Sequence, residues 1–195
     1  MTPDAPPHAT GRAPAPPLPD GSKNMNPPGL TFWALVQEDY RCHGSDFFSQ
    51  GFWALFTNRL GNVRMDIRSR WLRLPLTLLY RLMRRACQVF GGIKLDQTVQ
   101  VGRRVRLEHF GGMILGARAI GDDVIIRQNT TMGVRSVHDL NAKPTIGNRV
   151  DIGAGAVIVG NITIGDDCSV GANCVVSFDM PPGARARSPR PEVRP

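Results

Sequence analysis

Glu108 and His109, inside Leu-Glu-His-Phe-Gly-Gly at 107–112, put an imidazole next to a carboxylate. Near neutral pH an imidazole can take a proton from an alcohol, and a carboxylate such as Glu108 can bind the group that carries that alcohol. Taken alone, His109 also fits an ordinary packed or surface histidine. His138 and Lys143 fall in Val-Arg-Ser-Val-His-Asp-Leu-Asn-Ala-Lys-Pro-Thr at 134–145, and Asp39 and Asp46 lie far upstream; solvated positions account for these equally well. Cys42, Cys87, Cys168 and Cys174 form no Cys-x-x-Cys pair and no Cys/His cluster with zinc spacing, so no metal and no disulfide framework is expected.

A net charge of +8 in 195 residues raises nucleic acid, an anionic membrane surface or a phosphorylated cofactor as partners. No nucleic-acid recognition motif accompanies the charge, so nucleic acid is not expected. The N-terminus lacks the apolar core of a signal peptide and no apolar run of about 18 residues follows, which predicts a soluble, cytoplasmic protein with reduced thiols.

The elements that must position His109 follow from periodicity. Residues 1–29 hold nine of the sixteen prolines and almost nothing large and apolar, which predicts a disordered Pro-rich tail. Residues 30–92 read as helical. Phe48, Phe52, Leu55 and Phe56 mark one amphipathic helix with Gly61 as its stop. Ile67, Trp71, Leu74, Leu78, Leu82 and Ala86 mark a second, kinked or restarted at Pro75 and closed by Gly91-Gly92. This apolar stripe, with Trp33, Trp53 and Trp71, is expected to anchor the core. Arg70, Arg73, Arg81, Arg84 and Arg85 are then a solvated face; contact with a membrane surface is conceivable from the pattern but not expected.

From Val99 the period becomes six. Ile146, Ile152, Ile158, Ile164, Val170 and Val176 follow at six-residue steps, and Val150, Ala156, Ile162, Cys168 and Cys174 form a second compact series. This predicts a parallel β-helix over 93–182, in which short strands occupy the three faces of a triangular coil and both series point inward. The fold class is α+β by content, with helices first and the solenoid second. The phase slips by one residue around Gly-Gly-Met-Ile-Leu-Gly-Ala-Arg-Ala-Ile-Gly, and 134–145 is a projecting loop. Residues 183–195 read as a basic Pro/Arg-rich tail.

Gly-Phe-Trp-Ala-Leu-Phe-Thr-Asn-Arg-Leu-Gly-Asn at 51–62, the 107–112 segment, 119–133 and above all 146–183 resemble the serine acetyltransferase family of hexapeptide-repeat acyltransferases. The resemblance implies a left-handed β-helix, a homotrimer or higher assembly, acetyl-CoA as co-substrate, and acetyl transfer to serine with His109 as general base. It places Gly133, Ala154 and Ala172 along the CoA path, and Glu108, Lys143 and Asp46 toward the acceptor. Lys94 stands where the family has the carboxylate that orients the histidine, with Asp96 two residues on as a shifted substitute. Ala142 and Lys143 replace an Arg-His pair that holds serine. These changes look closer to relatives that acetylate sugar hydroxyls, and they also admit an inactive scaffold.

Overall fold

The computed structural model describes residues 15–189. Three helices precede a parallel β-solenoid of about five coils: α1 (Phe32–Cys42), α2 (Gln50–Val63) and α3 (Arg70–Phe90). Thr31 and Ser49 begin the first two by accepting from Ala34 N and Phe52 N, which satisfies amide groups that have no partner within the helix.

The solenoid has three faces. The first stacks Ile93–Lys94, Met113–Leu115, Thr131–Gly133, Val157–Val159 and Val175–Val176. The second stacks Gln100–Val101, Ala119–Ile120, Thr145–Ile146 and Thr163–Ile164. The third stacks Arg106–Glu108, Ile125–Arg127, Asp151–Ile152, Ser169–Val170 and Arg185–Ala186. All pairings are parallel, and alternation sends every second residue inward. Leu115, Met132, Ile158 and Val176 form one inner column, Val101, Ile120, Ile146 and Ile164 another, and Leu107, Ile126, Ile152 and Val170 the third. All twelve are buried, each contributing about 1.5–3 kcal/mol relative to exposure. The second compact series is buried as well, Cys168 and Cys174 included.

At the edge between the second and third faces Arg104, Asp123, Arg149 and Asp167 share a left-handed φ of 53–59°. Close approach is real there: a Cβ on Gly147 would lie 2.5 Å from Asp166 Oδ1.

The first coil has no coil beneath it, so its carbonyls need other donors. Helix α2 supplies them from side chains. Asn58 Nδ2 donates to the carbonyls of Asp96 (3.0 Å) and Val99 (3.2 Å), and Asn62 Nδ2 to that of Gln97 (3.1 Å). Arg59 donates to Val101 (2.7 Å) and Gly102 (2.6 Å), and its Nε meets Asp39 Oδ2 at 3.0 Å, both side chains being fully buried. Burial lifts the Asp39 carboxyl above its ordinary value, and the Arg59 charge and hydrogen bond pull the other way.

Several expectations for the helical region fail, each for a local reason. Gly61 does not stop α2; the helix runs on to Val63, and a Cβ there would lie 2.6 Å from Tyr80 Cε2, so the glycine serves close packing. Phe48 precedes α2 and is exposed. Helix α3 runs unbroken through Pro75 and ends at the expected Gly91. It turns its expected core stripe outward: Trp71 is 84 %, Leu78 69 % and Leu82 67 % exposed. Trp33 is also exposed and Trp53 half-buried, so only Trp53 among the three tryptophans packs substantially. The side of α3 toward the body carries Thr77, Tyr80, Arg84 and Cys87, because its partners there are polar: Arg64 meets Thr77 Oγ1 (3.0 Å) and covers the Tyr80 ring, and Arg84 meets Asp96 (2.6 Å).

Both expected tails also differ where they are described. Residues 15–29 lie along the body: Gly21 O accepts from Gln97 Nε2 (3.3 Å), Met25 N donates to Asn62 Oδ1 (3.1 Å), and Arg118 donates to the carbonyls of Pro16 and Pro17. Proline-rich backbone keeps free carbonyls, and these find donors on the solenoid. At the other end the solenoid passes residue 182, because Arg185–Ala186 pairs with Ser169–Val170. Residues 1–14 and 190–195 lie outside the described residues.

Replacing Arg59 by Met strands the buried Asp39 carboxylate and two carbonyls of the first coil. The expected loss is about 3–5 kcal/mol in urea-induced unfolding. The double variant Arg59→Met/Asp39→Leu recovers part of it.

Candidate active site

Register explains how His109 is presented. Leu107 pairs with Ile126 and Leu115 with Met132, so eight residues separate the inward positions where the next coil uses six. The two extra residues fall in 109–112. The chain then crosses to Ile120 in five residues where the regular coil takes six, as from Ile158 to Ile164. The one-residue phase slip of the sequence is thus a two-residue bulge followed by a one-residue shortening. In the bulge His109 takes a φ of 59°, and Gly111 and Gly112 take 100° and 65°. Asn129 and Asn173 on the same edge share this left-handed φ, at 59° and 57°, so it is the corner conformation of the solenoid, and the surplus residues are what set His109 apart. The imidazole is exposed and has no hydrogen-bond partner among the described residues.

The bulge stands on the edge between the third and first faces. Below it the same edge is built by Gln128-Asn129, Ala154-Gly155 and Ala172-Asn173, linked by Asn129 N to Gly111 O (3.1 Å), Gly155 N to Gln128 O (2.9 Å) and Asn173 N to Ala154 O (2.8 Å). His109, Ala154 and Ala172 therefore share one edge, at rungs about 4.8 Å apart. Gly133 and Lys143 do not share it; they begin and end the loop that leaves the edge between the first and second faces. That loop adds eight residues, since Met132 and Ile146 are fourteen apart and their partners Ile158 and Ile164 six. His138 is exposed in it.

Glu108 closes the strand before the bulge. Its carboxylate meets Arg106 and lies 3.5 Å from Arg127 Nε, and Arg127 also meets Asp151. Asp96, the shifted candidate for orienting the histidine, gives its carboxylate to Arg84 on α3. Lys94 is exposed on the first face. Asp46 is exposed in the turn between α1 and α2, where Oδ1 accepts from Phe48 N (2.8 Å). The first turn of α2, just after it, abuts the strand leading to His109, since a Cβ on Gly51 would lie 2.4 Å from Leu107 O.

Two residues escaped the sequence reading. His43 Nδ1 lies 2.7 Å from Asp39 O and so donates to it, leaving Nε2 to accept from Leu107 N at 3.1 Å. The ring is neutral in this arrangement, and burial pushes its pKa below the ordinary histidine value. It braces the strand two residues before the bulge, and nothing in the local sequence signals a contact 64 residues away. Gln128 follows Arg127, the register partner of Glu108, and its Oε1 is buried with no hydrogen-bond partner. Such an atom costs about 1–3 kcal/mol until a donor reaches it. Among the described residues no group of three or more His, Cys, Asp or Glu is placed to hold a metal ion.

Residues 143–177 match the family model described as bacterial transferase hexapeptide (six repeats). A serine acetyltransferase of Helicobacter pylori is 37% identical over 107 residues, covering 54% of this chain and 63% of that protein. The "Putative colanic acid biosynthesis acetyltransferase WcaB" of Escherichia coli is 33% identical over 111 residues, covering 56% of this chain and 66% of that protein. The chain thus spans just under two thirds of the length of these curated relatives. Soybean serine acetyltransferase complexed with serine superposes with a TM-score of 0.64 at 26% identity, over 79% of this chain and 65% of that one. The cysteine complex of serine acetyltransferase isoform 3 from Entamoeba histolytica, at 22% identity, shares the fold with a TM-score of 0.67, over 84% of this chain and 60% of that one.

The His43 geometry sets a pH dependence. Its folded pKa is lowered, so its contribution to stability is complete above the unfolded value of about 6.5 and is lost as pH falls below it, by at most about 1.4 kcal/mol per pH unit. Thermal unfolding between pH 7 and 5.5 should show this slope, and His43→Gln should flatten it.

Proposed function

Starting from a hexapeptide-repeat solenoid that resembles serine acetyltransferases in sequence and fold, we propose that this chain transfers acetyl from acetyl-CoA to the hydroxyl of a small acceptor, with His109 as general base. The observation that carries the reading is the two-residue bulge that lifts an unpartnered imidazole from an otherwise regular edge. Acetyl-CoA, when bound, supplies a thioester-activated acetyl group. Ala154 and Ala172 keep the wall of the edge low enough for a pantetheine arm to pass. Gln128 Oε1 offers an acceptor to an amide N–H of that arm. His109 takes the proton of the acceptor hydroxyl as its oxygen attacks.

The assembly in this reading is a homotrimer. Ile114, Thr131, Val157 and Val175 form an outward column on the first face, with Ile114 and Val175 well exposed, and burying such columns between copies accounts for them. Two different edges of neighbouring copies then meet, which lets Gly133 and Lys143 of one copy face the Ala154 and Ala172 edge of another. Four unpaired cysteines and a need for acetyl-CoA suit the cytoplasm.

The acceptor divides the reading. Serine is the acceptor in the names of several relatives. A sugar hydroxyl is favoured by charge: Glu108, the carboxylate adjoining His109 in sequence, is held by Arg106 and Arg127 and is not free for an ammonium group, and Lys94 and Lys143 add cations. Cations surrounding a hydroxyl site suit a nucleotide sugar or acidic sugar better than a zwitterion.

Purified protein, acetyl-CoA and parallel panels of serine and nucleotide sugars separate the two, with thiol release as the readout. His109→Ala should lower kcat/KM by about 10²–10⁴-fold with its fold intact. Unchanged turnover removes His109 as the base, and turnover of no acceptor by the wild type favours an inactive scaffold. Ala172→Trp should raise KM for acetyl-CoA about tenfold or more while leaving KM for the acceptor in place.

A further inference from the structure

The outward surface of α3 has no role in any of the chemistry above. At 3.6 residues per turn, Arg73, Thr77, Tyr80, Arg84 and Cys87 lie toward the body, and Trp71, Leu78, Leu82 and Val89 form the strip opposite, with Leu74 to one side of it. Leu72, Leu79 and Phe90 widen that strip on one flank, and every one of these eight side chains is exposed. Arg70 and Arg81 border it on the other flank, and Arg85 projects from within it between the positions of Leu74 and Leu78, all three exposed. Among the 21 residues of the helix there is no Asp or Glu. A contiguous apolar strip of this length, about 30 Å, is far more than a surface meeting only water usually carries.

We propose that α3 lies in the plane of an anionic lipid bilayer surface, with Trp71, Leu74, Leu78 and Leu82 entering the acyl boundary and Arg70, Arg81 and Arg85 on the phosphates of the headgroups. No described helix is long and apolar enough to cross a membrane, and α3 is amphipathic along its whole length, as an interfacial helix must be. A tryptophan in the strip suits the boundary between headgroup and chain. Charge selects the lipid over a second copy of the chain. Joining two α3 strips would crowd guanidinium flanks together with no carboxylate on either helix to receive them, and like charges near an apolar contact repel strongly. A headgroup layer presents an acceptor to each guanidinium, and the net charge of +8 adds attraction at longer range. Apolar insertion and a basic flank together make the two signals that stable peripheral binding requires.

The full chain is sedimented with vesicles of phosphatidylcholine alone and of phosphatidylcholine and phosphatidylglycerol in a two-to-one ratio. Binding to the anionic vesicles is expected to exceed binding to the neutral ones by about tenfold or more, to weaken with salt, and to shift tryptophan emission to the blue. Leu78→Gln/Leu82→Gln should lower partitioning by more than about tenfold. Arg81→Gln/Arg85→Gln should lower it about fivefold per arginine and reduce the preference for anionic lipid. Because both pairs are exposed, thermal unfolding should stay cooperative, and the arginine pair carries the test if the leucine pair aggregates. Absence of wild-type binding to either vesicle, equal binding to both, or wild-type binding by both variants would each overturn the proposal. So would sedimentation of lipid-free protein as an assembly that Leu78→Gln/Leu82→Gln dissolves, with no vesicle binding. Neither outcome depends on acetyl transfer, which both variants should retain with a soluble acceptor.

Discussion

Parallel hydrogen bonding between successive coils ties each residue of a face to its equivalent one rung away, so any change in coil length has to be absorbed at an edge. The twelve buried aliphatics of the inner columns enforce this, since a slip of one residue would turn a face inside out. The three edges have consequently diverged. The edge between the second and third faces carries no insertion and is a ladder of left-handed corners, with Arg104 on Asp123 and Arg149 on Asp167 outside it. The edge between the first and second faces absorbs eight residues as the loop ending at Lys143. The edge between the third and first absorbs two, and that small surplus is what frees His109 from the rung pattern.

The first coil imposes a second requirement. Its carbonyls face no neighbouring coil, and α2 satisfies them with Asn58, Arg59 and Asn62 while its Ala54 and Leu55 join the solenoid core. Those bonds are directional, so they set the angle of the helical region on the solenoid as well as closing its end. His43 extends the same arrangement to Leu107 N, which links the cap to the strand that feeds the bulge. The imidazole of His109 is thereby positioned from two sides: by the rung below, through Asn129 N and Gly111 O, and by the helical cap behind Leu107.

The solenoid was legible because its inner columns repeat every six residues with aliphatic side chains and nothing else explains that period. The bulge was visible only as a net slip of one residue. Two compensating changes, eight for six and then five for six, have the same sum as a single insertion, and only pairing partners tell them apart. Asp96 illustrates a different limit. As a carboxylate two residues from the expected place it was a reasonable substitute, but Arg84, twelve residues upstream and one helix away, claims it. Gly61 looks like a helix stop because glycine often ends helices; its actual constraint, the Tyr80 ring, comes from a neighbouring helix that the local pattern does not reveal.

The inversion of α3 follows from the cap. Periodicity identifies an apolar stripe, and the usual inference is that the stripe faces the chain's own core. Here the available surface is the back of α2, where the groups that α3 covers are Arg64 just past its end, the Thr57 hydroxyl and the first-coil segment at Asp96 and Gln97. A helix docking on these needs hydroxyls and counter-charges, and Thr77, Tyr80, Arg84 and Cys87 meet Arg64, Gln97 N, Asp96 and Thr57 in turn. With its polar side committed inward, the leucines and Trp71 can only point away. An apolar strip exposed along most of 21 residues is costly in water alone, and a surface that is apolar within and negatively charged at its rim offsets that cost while giving the arginines their counter-charges.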